Sequence, residues 1–262
     1  MTTLASGATF VLCLFHVATL ALPSPHRRPD ERRAGHTAHV TNGTIHGRYL
    51  AGFDQDLFLG VPFANAPRLA NPTPLNNSWT VPLDATSYGH TCYGFGSNQL
   101  LPGIKDRQSE DCLNLNIIRP SGHGANADLP VLVWVYGGGF RQGSSADPMW
   151  NMSYIVQTSV ENGQPIIGVS INYRLSFLGF PSGKEAMDAN VTNLGLKDQR
   201  IALEWIQENI EAFGGDCRKV TIVCKCSAAP SYWMLMCADA MLAVGRVCRR
   251  SKCGVPAHCI RW

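Results

Sequence analysis

Asn193–Val223, NLGLKDQRIALEWIQENIEAFGGDCRKVTIV, reads as a helix, a turn and a buried strand. Leu196, Leu203, Ile206, Ile210 and Phe213 recur at helical spacing, and Gly214 and Gly215 supply the stop. Upstream, Pro130–Tyr136 (PVLVWVY) and Pro165–Tyr173 (PIIGVSINY) are nearly continuous apolar runs, as expected of central strands covered by helices on both faces. Pro148–Asn162, between them, has the composition of a helix. Strand, helix, strand, helix, strand is the grammar of a doubly wound, mostly parallel α/β sheet.

Nearer the N-terminus, Val40–Tyr49 and Leu57–Pro62 read as short strands, and Ala66–Ser78, rich in Pro and Asn, as irregular loop. Cys112–Ile118 alternates, placing Leu113, Leu115 and Ile117 on one face and Asn114 and Asn116 on the other, as in a half-buried strand. Hydrophobic residues make up 45% of the chain and charged residues 16%, so the composition is globular rather than disordered. The formal charge of +3 is split: six Lys or Arg against one Asp follow Val223, giving +5 there and leaving −2 on residues 1–223. A nucleic-acid surface is not indicated, because the positive charge lies outside the patterned body.

Phe10–Leu22, FVLCLFHVATLAL, is too short and wrongly flanked for a membrane span and reads as a secretory signal ending near Ala21. Residues 22–39 follow as an Arg-rich linker or pro-segment. Sequons at Asn42, Asn76, Asn151 and Asn190 agree with export to the extracellular space, whereas Pro72 excludes Asn71. Export permits disulfides among the ten cysteines, six of which follow Val223.

Gly137-Gly138-Gly139 follows directly on an apolar strand. Residues without side chains there let backbone N–H groups converge on a developing oxyanion, although a plain glycine turn would explain three glycines equally well. The ordered blocks around them decide between these readings. Asn42-Gly43-Thr44 with Gly47, LFLGVPFANAPR at Leu57–Arg68, SEDCLNLNI at Ser109–Ile117, VWVYGGGF at Val133–Phe140, INYRL at Ile171–Leu175 and NLGLKDQRIALEWIQENI at Asn193–Ile210 follow one another. Over Val40–Val223 this resembles the N-terminal part of the type-B carboxylesterase/lipase family, which includes cholinesterases and secreted fungal lipases.

The resemblance implies an α/β-hydrolase fold and hydrolysis of carboxylic esters, of small molecules or lipids, without a cofactor or metal. It implies that Gly138 and Gly139 are oxyanion-hole glycines and that Cys92 pairs with Cys112 to close a loop over the active-site gorge. Cys217 stands where the family usually has proline. In the family the strand matching Lys219–Val223 leads into Gly-Glu-Ser-Ala-Gly, whose Ser is the nucleophile. Here it leads into Cys224-Lys225-Cys226-Ser227-Ala228-Ala229, and Gly-x-Ser-x-Gly occurs nowhere in the sequence. Cys226 takes the aligned position; Ser227, one place late, is a displaced nucleophile candidate.

Residues 224–262 form a Cys-rich, basic tail of a different character. Ser227, Asp239 and His258 occur in hydrolase order, but without an elbow. Cys224, Cys226, Cys237, Cys248, Cys253, His258 and Cys259 contain no Cys-x-x-Cys pair, so a zinc site is not indicated. Cys-Lys-Cys can be encoded by TGTAAGTGC, which contains an intron-donor signal, so the tail is also consistent with a mis-spliced product. The expectation is an ester-hydrolase fold cut off at the nucleophile elbow and inactive as written, with a non-catalytic binding protein as the alternative. The oligomeric state is not legible.

Overall fold

The computed structural model describes residues 36–224, so the signal and the tail after Cys224 lie outside the described residues. A hairpin, β1 (Thr37–Val40) and β2 (Gly43–His46), precedes the main sheet, dividing at the Thr41-Asn42 turn what reads as one strand. The six-stranded sheet comprises β3 (Arg48–Leu50), β4 (Gln55–Pro62), β5 (Asn114–Pro120), β6 (Leu129–Val135), β7 (Ile167–Ile171) and β8 (Gly215–Cys224). Its order is β8-β6-β7-β5-β4-β3. Parallel pairing joins β6 to β7 and to β8, whereas β5, β4 and β3 are antiparallel.

Helix α1 (Ser153–Glu161) connects β6 to β7, and α2 (Leu194–Asn209) leads from β7 toward β8. They cover opposite faces. Met152 and Val156 pack with Leu57, Leu59 and Ile118 on one face, while Leu203, Ile206, Ile210 and Phe213 join Val131, Val133, Val135, Val169 and Ile171 on the other. Moving from β6 to β7 and back past β6 to β8 reverses direction across the sheet; right-handed crossovers therefore require the two helices to lie on opposite faces. Each fully buried Ile, Leu or Phe contributes about 1.5–3 kcal/mol, so α2 owes its position mainly to this stripe. A 3-10 turn, Ile210–Phe213, ends in Gly214 at φ 87°, where a Cβ would stand 2.4 Å from the Gly124 carbonyl oxygen. Only glycine meets both conditions.

Three expectations about burial are corrected. Asn114 and Asn116 are buried, because the loop around Ser144 and Ser145 and the residues after β7 cover the face that had read as solvent-facing. Asn116 serves a bulge in β4: its Oδ1 accepts from the Gly60 N–H at 2.9 Å where the β4–β5 register slips, and its Nδ2 donates to the Ser145 and Ser170 hydroxyls. β8 is an edge strand among the described residues; Thr221 and Val223 are exposed, and Val220 and Ile222 half-buried. In β6 the residues facing α1's side, Leu132 and Trp134, are only half-buried. Leu196 of α2 is likewise half-buried.

Candidate functional site

The parallel strands β6, β7 and β8 all end at one edge of the sheet, with Val135 opposite Ile171 on one side and Cys224 on the other. The glycine run leaves β6 at this edge. Tyr136 is fully buried and clasped to Tyr173, which lies just beyond β7. The Tyr136 hydroxyl donates to the Tyr173 carbonyl at 3.1 Å, the Tyr173 hydroxyl donates to the Tyr136 carbonyl at 2.8 Å, and the rings stack 4.6 Å apart. Burial pushes the Tyr136 phenol far above its ordinary pKa, so it remains a hydrogen-bond donor at all working pH values.

From that anchor the backbone turns sharply: φ is 131° at Gly138, 63° at Gly139 and 60° at Phe140. A Cβ on Gly138 would lie 2.1 Å from the Gln142 carbonyl oxygen, so no other residue fits. The Gly138 carbonyl accepts from the Arg141 and Gln142 N–H groups at 3.1 and 3.3 Å, closing the turn. Its neighbours hold it from outside: Ser176 N–H donates to Phe140 O at 2.7 Å, Phe95 N–H to Arg141 O at 2.6 Å, and Gln99 Nε2 to Gly143 O at 3.3 Å. The N–H groups of Gly138 and Gly139 meet no acceptor among the described residues, and Gly139 is exposed. Two adjacent N–H groups on a braced loop are thus left free to donate.

Cys92 and Cys112 form a disulfide, both residues buried, and close the loop that supplies Phe95 and Gln99. At its stem the His90 carbonyl accepts from Asn114 Nδ2 at 2.8 Å and from Asn172 Nδ2 at 3.0 Å, and Asn172 Oδ1 accepts from Ser145 N–H at 2.9 Å. Arg68 meets Glu110 on the exposed side of the same loop. Beneath, Arg174 grips Asp198 of α2 bidentately through Nε at 2.8 Å and Nη2 at 2.7 Å, both residues buried. Burial pushes the Asp198 carboxyl up against the opposing pull of Arg174.

Sequence reading missed these supports. The Tyr pair is joined across 37 positions, and no local pattern announces it; Asn in an otherwise apolar strand was the one available signal for the Asn114–Asn116–Asn172 network. The glycines and both cysteines therefore come together at one edge. Cys226, Ser227, Asp239 and His258 lie outside the described residues, and of the cysteines weighed for metal after Val223 only Cys224 is described. Among the described residues no three His, Cys, Asp or Glu side chains cluster as metal ligands. A cavity of about 350 Å³, bordered by Thr37, His39, Asp56, Arg119 and His123, opens at the opposite edge of the sheet, away from the glycine loop.

A model of the carboxylesterase family matches residues 34–242. The match runs past Val223, so Ser227 falls within it. Lipase 5 of Diutina rugosa is 38% identical over 211 residues, covering 72% of this chain and 38% of the relative. A secreted lipase of Arthroderma benhamiae is 39% identical over 189 residues, covering 70% of this chain and 33% of the relative. The crystal structure of EstA from Aspergillus niger superposes with a TM-score of 0.63 at 32% identity, covering 72% of this chain and 35% of that one. The chain thus spans about a third of the length of these relatives.

Proposed function

Because the chain belongs to the carboxylesterase family and has its α/β-hydrolase fold, we propose that it carries the oxyanion-stabilising part of an ester hydrolase. Its substrates in a complete enzyme would be carboxylic esters of small molecules or lipids. The observation that carries this reading is the pair of unpaired N–H groups at Gly138 and Gly139, held at the sheet edge where β8 also ends. A serine attacking an ester carbonyl places negative charge on the carbonyl oxygen, and two such donors stabilise that charge as it develops; losing one typically costs about 100- to 1000-fold in rate.

Within residues 1–262 the position that follows β8 in register with the family nucleophile is Cys226, flanked by Cys224 and Ala228 rather than glycines. The strained elbow needs those glycines, so this polypeptide by itself is proposed not to turn over esters. Ser227 remains the nucleophile candidate of a displaced elbow. Export is supported by the apolar run at Phe10–Leu22 and by relatives named as secreted lipases; no helix among the described residues is long and apolar enough to cross a membrane. The division into residues 1–21, 22–39, 40–223 and 224–262 belongs to the same proposal.

Purified chain of this sequence is incubated with p-nitrophenyl acetate and, separately, with a fluorophosphonate probe. The expected result is neither turnover nor labelling. Turnover abolished by Ser227→Ala or Cys226→Ala would overturn the inactive reading and assign the nucleophile, while soluble, unlabelled, monodisperse protein would favour a binding role.

A further inference from the structure

The four sequons are not equivalent in the fold, and we infer that the exported chain carries N-linked sugar at Asn76 and Asn190 but not at Asn42, whose side chain clasps the β1–β2 hairpin. This rests on the export reading above. Asn42 occupies the turn between β1 and β2, and its Nδ2 donates to the carbonyls of Leu75 at 2.9 Å and Asn77 at 3.0 Å. Two carbonyl partners identify the nitrogen end of the amide, and both its hydrogens are in use. The backbone is held from the same side. Trp79 N–H donates to the Asn42 carbonyl at 2.9 Å and Trp79 Nε1 to the Thr44 carbonyl at 2.8 Å. Gly43, at φ 149°, presses so closely on Trp79 that a Cβ there would lie 2.6 Å from the indole nitrogen.

N-glycosylation joins Nδ2 to C1 of an oligosaccharide donated by a lipid pyrophosphate: the C1–O bond to the carrier breaks, the C1–N bond forms, and Nδ2 gives up one proton. At Asn42 the lost hydrogen is one that binds Leu75 or Asn77, and a sugar must enter where the 75–79 segment lies against the hairpin. A chain modified there before folding cannot close the clasp, so it is removed from the folded population.

Asn76 and Asn190 meet the opposite condition. Both are exposed, and neither side chain bonds to a described residue. Asn190, at φ 55° in the turn before α2, is fixed through its backbone alone: its N–H donates to Met187 O at 3.0 Å, and its carbonyl accepts from Asn71 Nδ2 at 3.2 Å and Lys197 Nζ at 3.0 Å. The turn is therefore braced while the amide stays free. Asn151 is half-buried, and the atom it uses is Oδ1, which accepts from Ser153 N–H at 3.0 Å.

The test replaces residues 1–21 by a proven eukaryotic leader, so that export is not in question, and runs the native-leader chain alongside to test export separately. Peptide N-glycosidase in heavy-oxygen water converts each occupied Asn to labelled Asp, which peptide mass spectrometry locates in the secreted chain or, where none is secreted, in the trypsin-resistant lumenal chain. Labels at Asn76 and Asn190 with Asn42 unlabelled are expected; a label at Asn42, or none at Asn76 or Asn190, overturns the assignment. A paired variant separates the clasp from the sequon: Asn42→Asp loses most folded protein, while Thr44→Ala, which destroys the sequon and spares the amide, keeps it. Equal loss in both overturns the clasp.

Discussion

β7 and β8 lie on either side of β6, both parallel to it and both rich in Val and Ile, yet they live in different surroundings. Every residue of β7 is buried, whereas from Arg218 onward every residue of β8 is exposed or half-buried. β7 has β6 and β5 as strand neighbours and helices on both faces; β8 has β6 as its one strand neighbour among the described residues, and Val220 and Ile222 pack against the cluster that includes α2. Residue type therefore permits a strand, but the number of neighbours sets how much each side chain contributes.

The sharpest way to break the comparison is at the exit from β7, where Arg174 and Asp198 are both buried and bidentate. Asp198→Asn leaves a buried guanidinium without its counter-charge, and a loss of about 3–5 kcal/mol in urea-unfolding stability is expected. The double variant Arg174→Met, Asp198→Leu should recover part of that loss, since it removes both charges together. A similar loss in the double variant would show that the pair holds α2 by geometry rather than by charge.

Truncation of equivalent apolar residues sharpens it next. Ile171→Ala, at a fully buried position, should cost about 2–5 kcal/mol. Ile222→Ala, half-buried on β8, should cost about 1 kcal/mol, because water already reaches the site and no sealed cavity forms. Equal losses measured by the same unfolding transition would mean that β8 is covered in solution.

The contrast also marks how far the sequence could be read. Leu203, Ile206, Ile210 and Phe213 announce their helix and its buried face because a period of 3.6 is a property of the local chain. Gly137–Gly139 after an apolar run likewise point to the turn at the end of β6. Alternation puts Asn114 and Asn116 on the face opposite Leu113, Leu115 and Ile117, but it tells which residues share a side and not what covers it. The exposure of β8 follows the same rule: burial is decided by neighbours distant in sequence. The Tyr136–Tyr173 clasp had no local signature, and Asn42 satisfies a sequon whether its amide is free or committed.

At the edge itself, Val223 is 37% exposed and sits on a strand whose outer N–H and C=O groups have no strand neighbour among the described residues. Such edges recruit other chains. Val223→Lys places a charge there at little cost to packing, so unfolding stability should shift by no more than about 0.5 kcal/mol. Light scattering at constant concentration should meanwhile show less association. Unchanged scattering would indicate that this edge is not where chains meet.

The smallest effect belongs to Asp216 at the start of β8. The Arg218 side chain holds its carboxyl down to about 2, helped by the Arg218 backbone N–H and by Lys219. A depressed carboxyl adds stability that is fully present above its unfolded value, 3.8, and is lost as the pH falls from there toward about 2. Because Arg218 and Lys219 are largely solvated, screening limits the effect to at most about 1 kcal/mol. Asp216→Asn should therefore flatten the acid limb of the stability curve only between those two pH values and leave neutral stability lower by the same small amount. An acid limb identical in both proteins would show that Asp216 is as solvated as its partners.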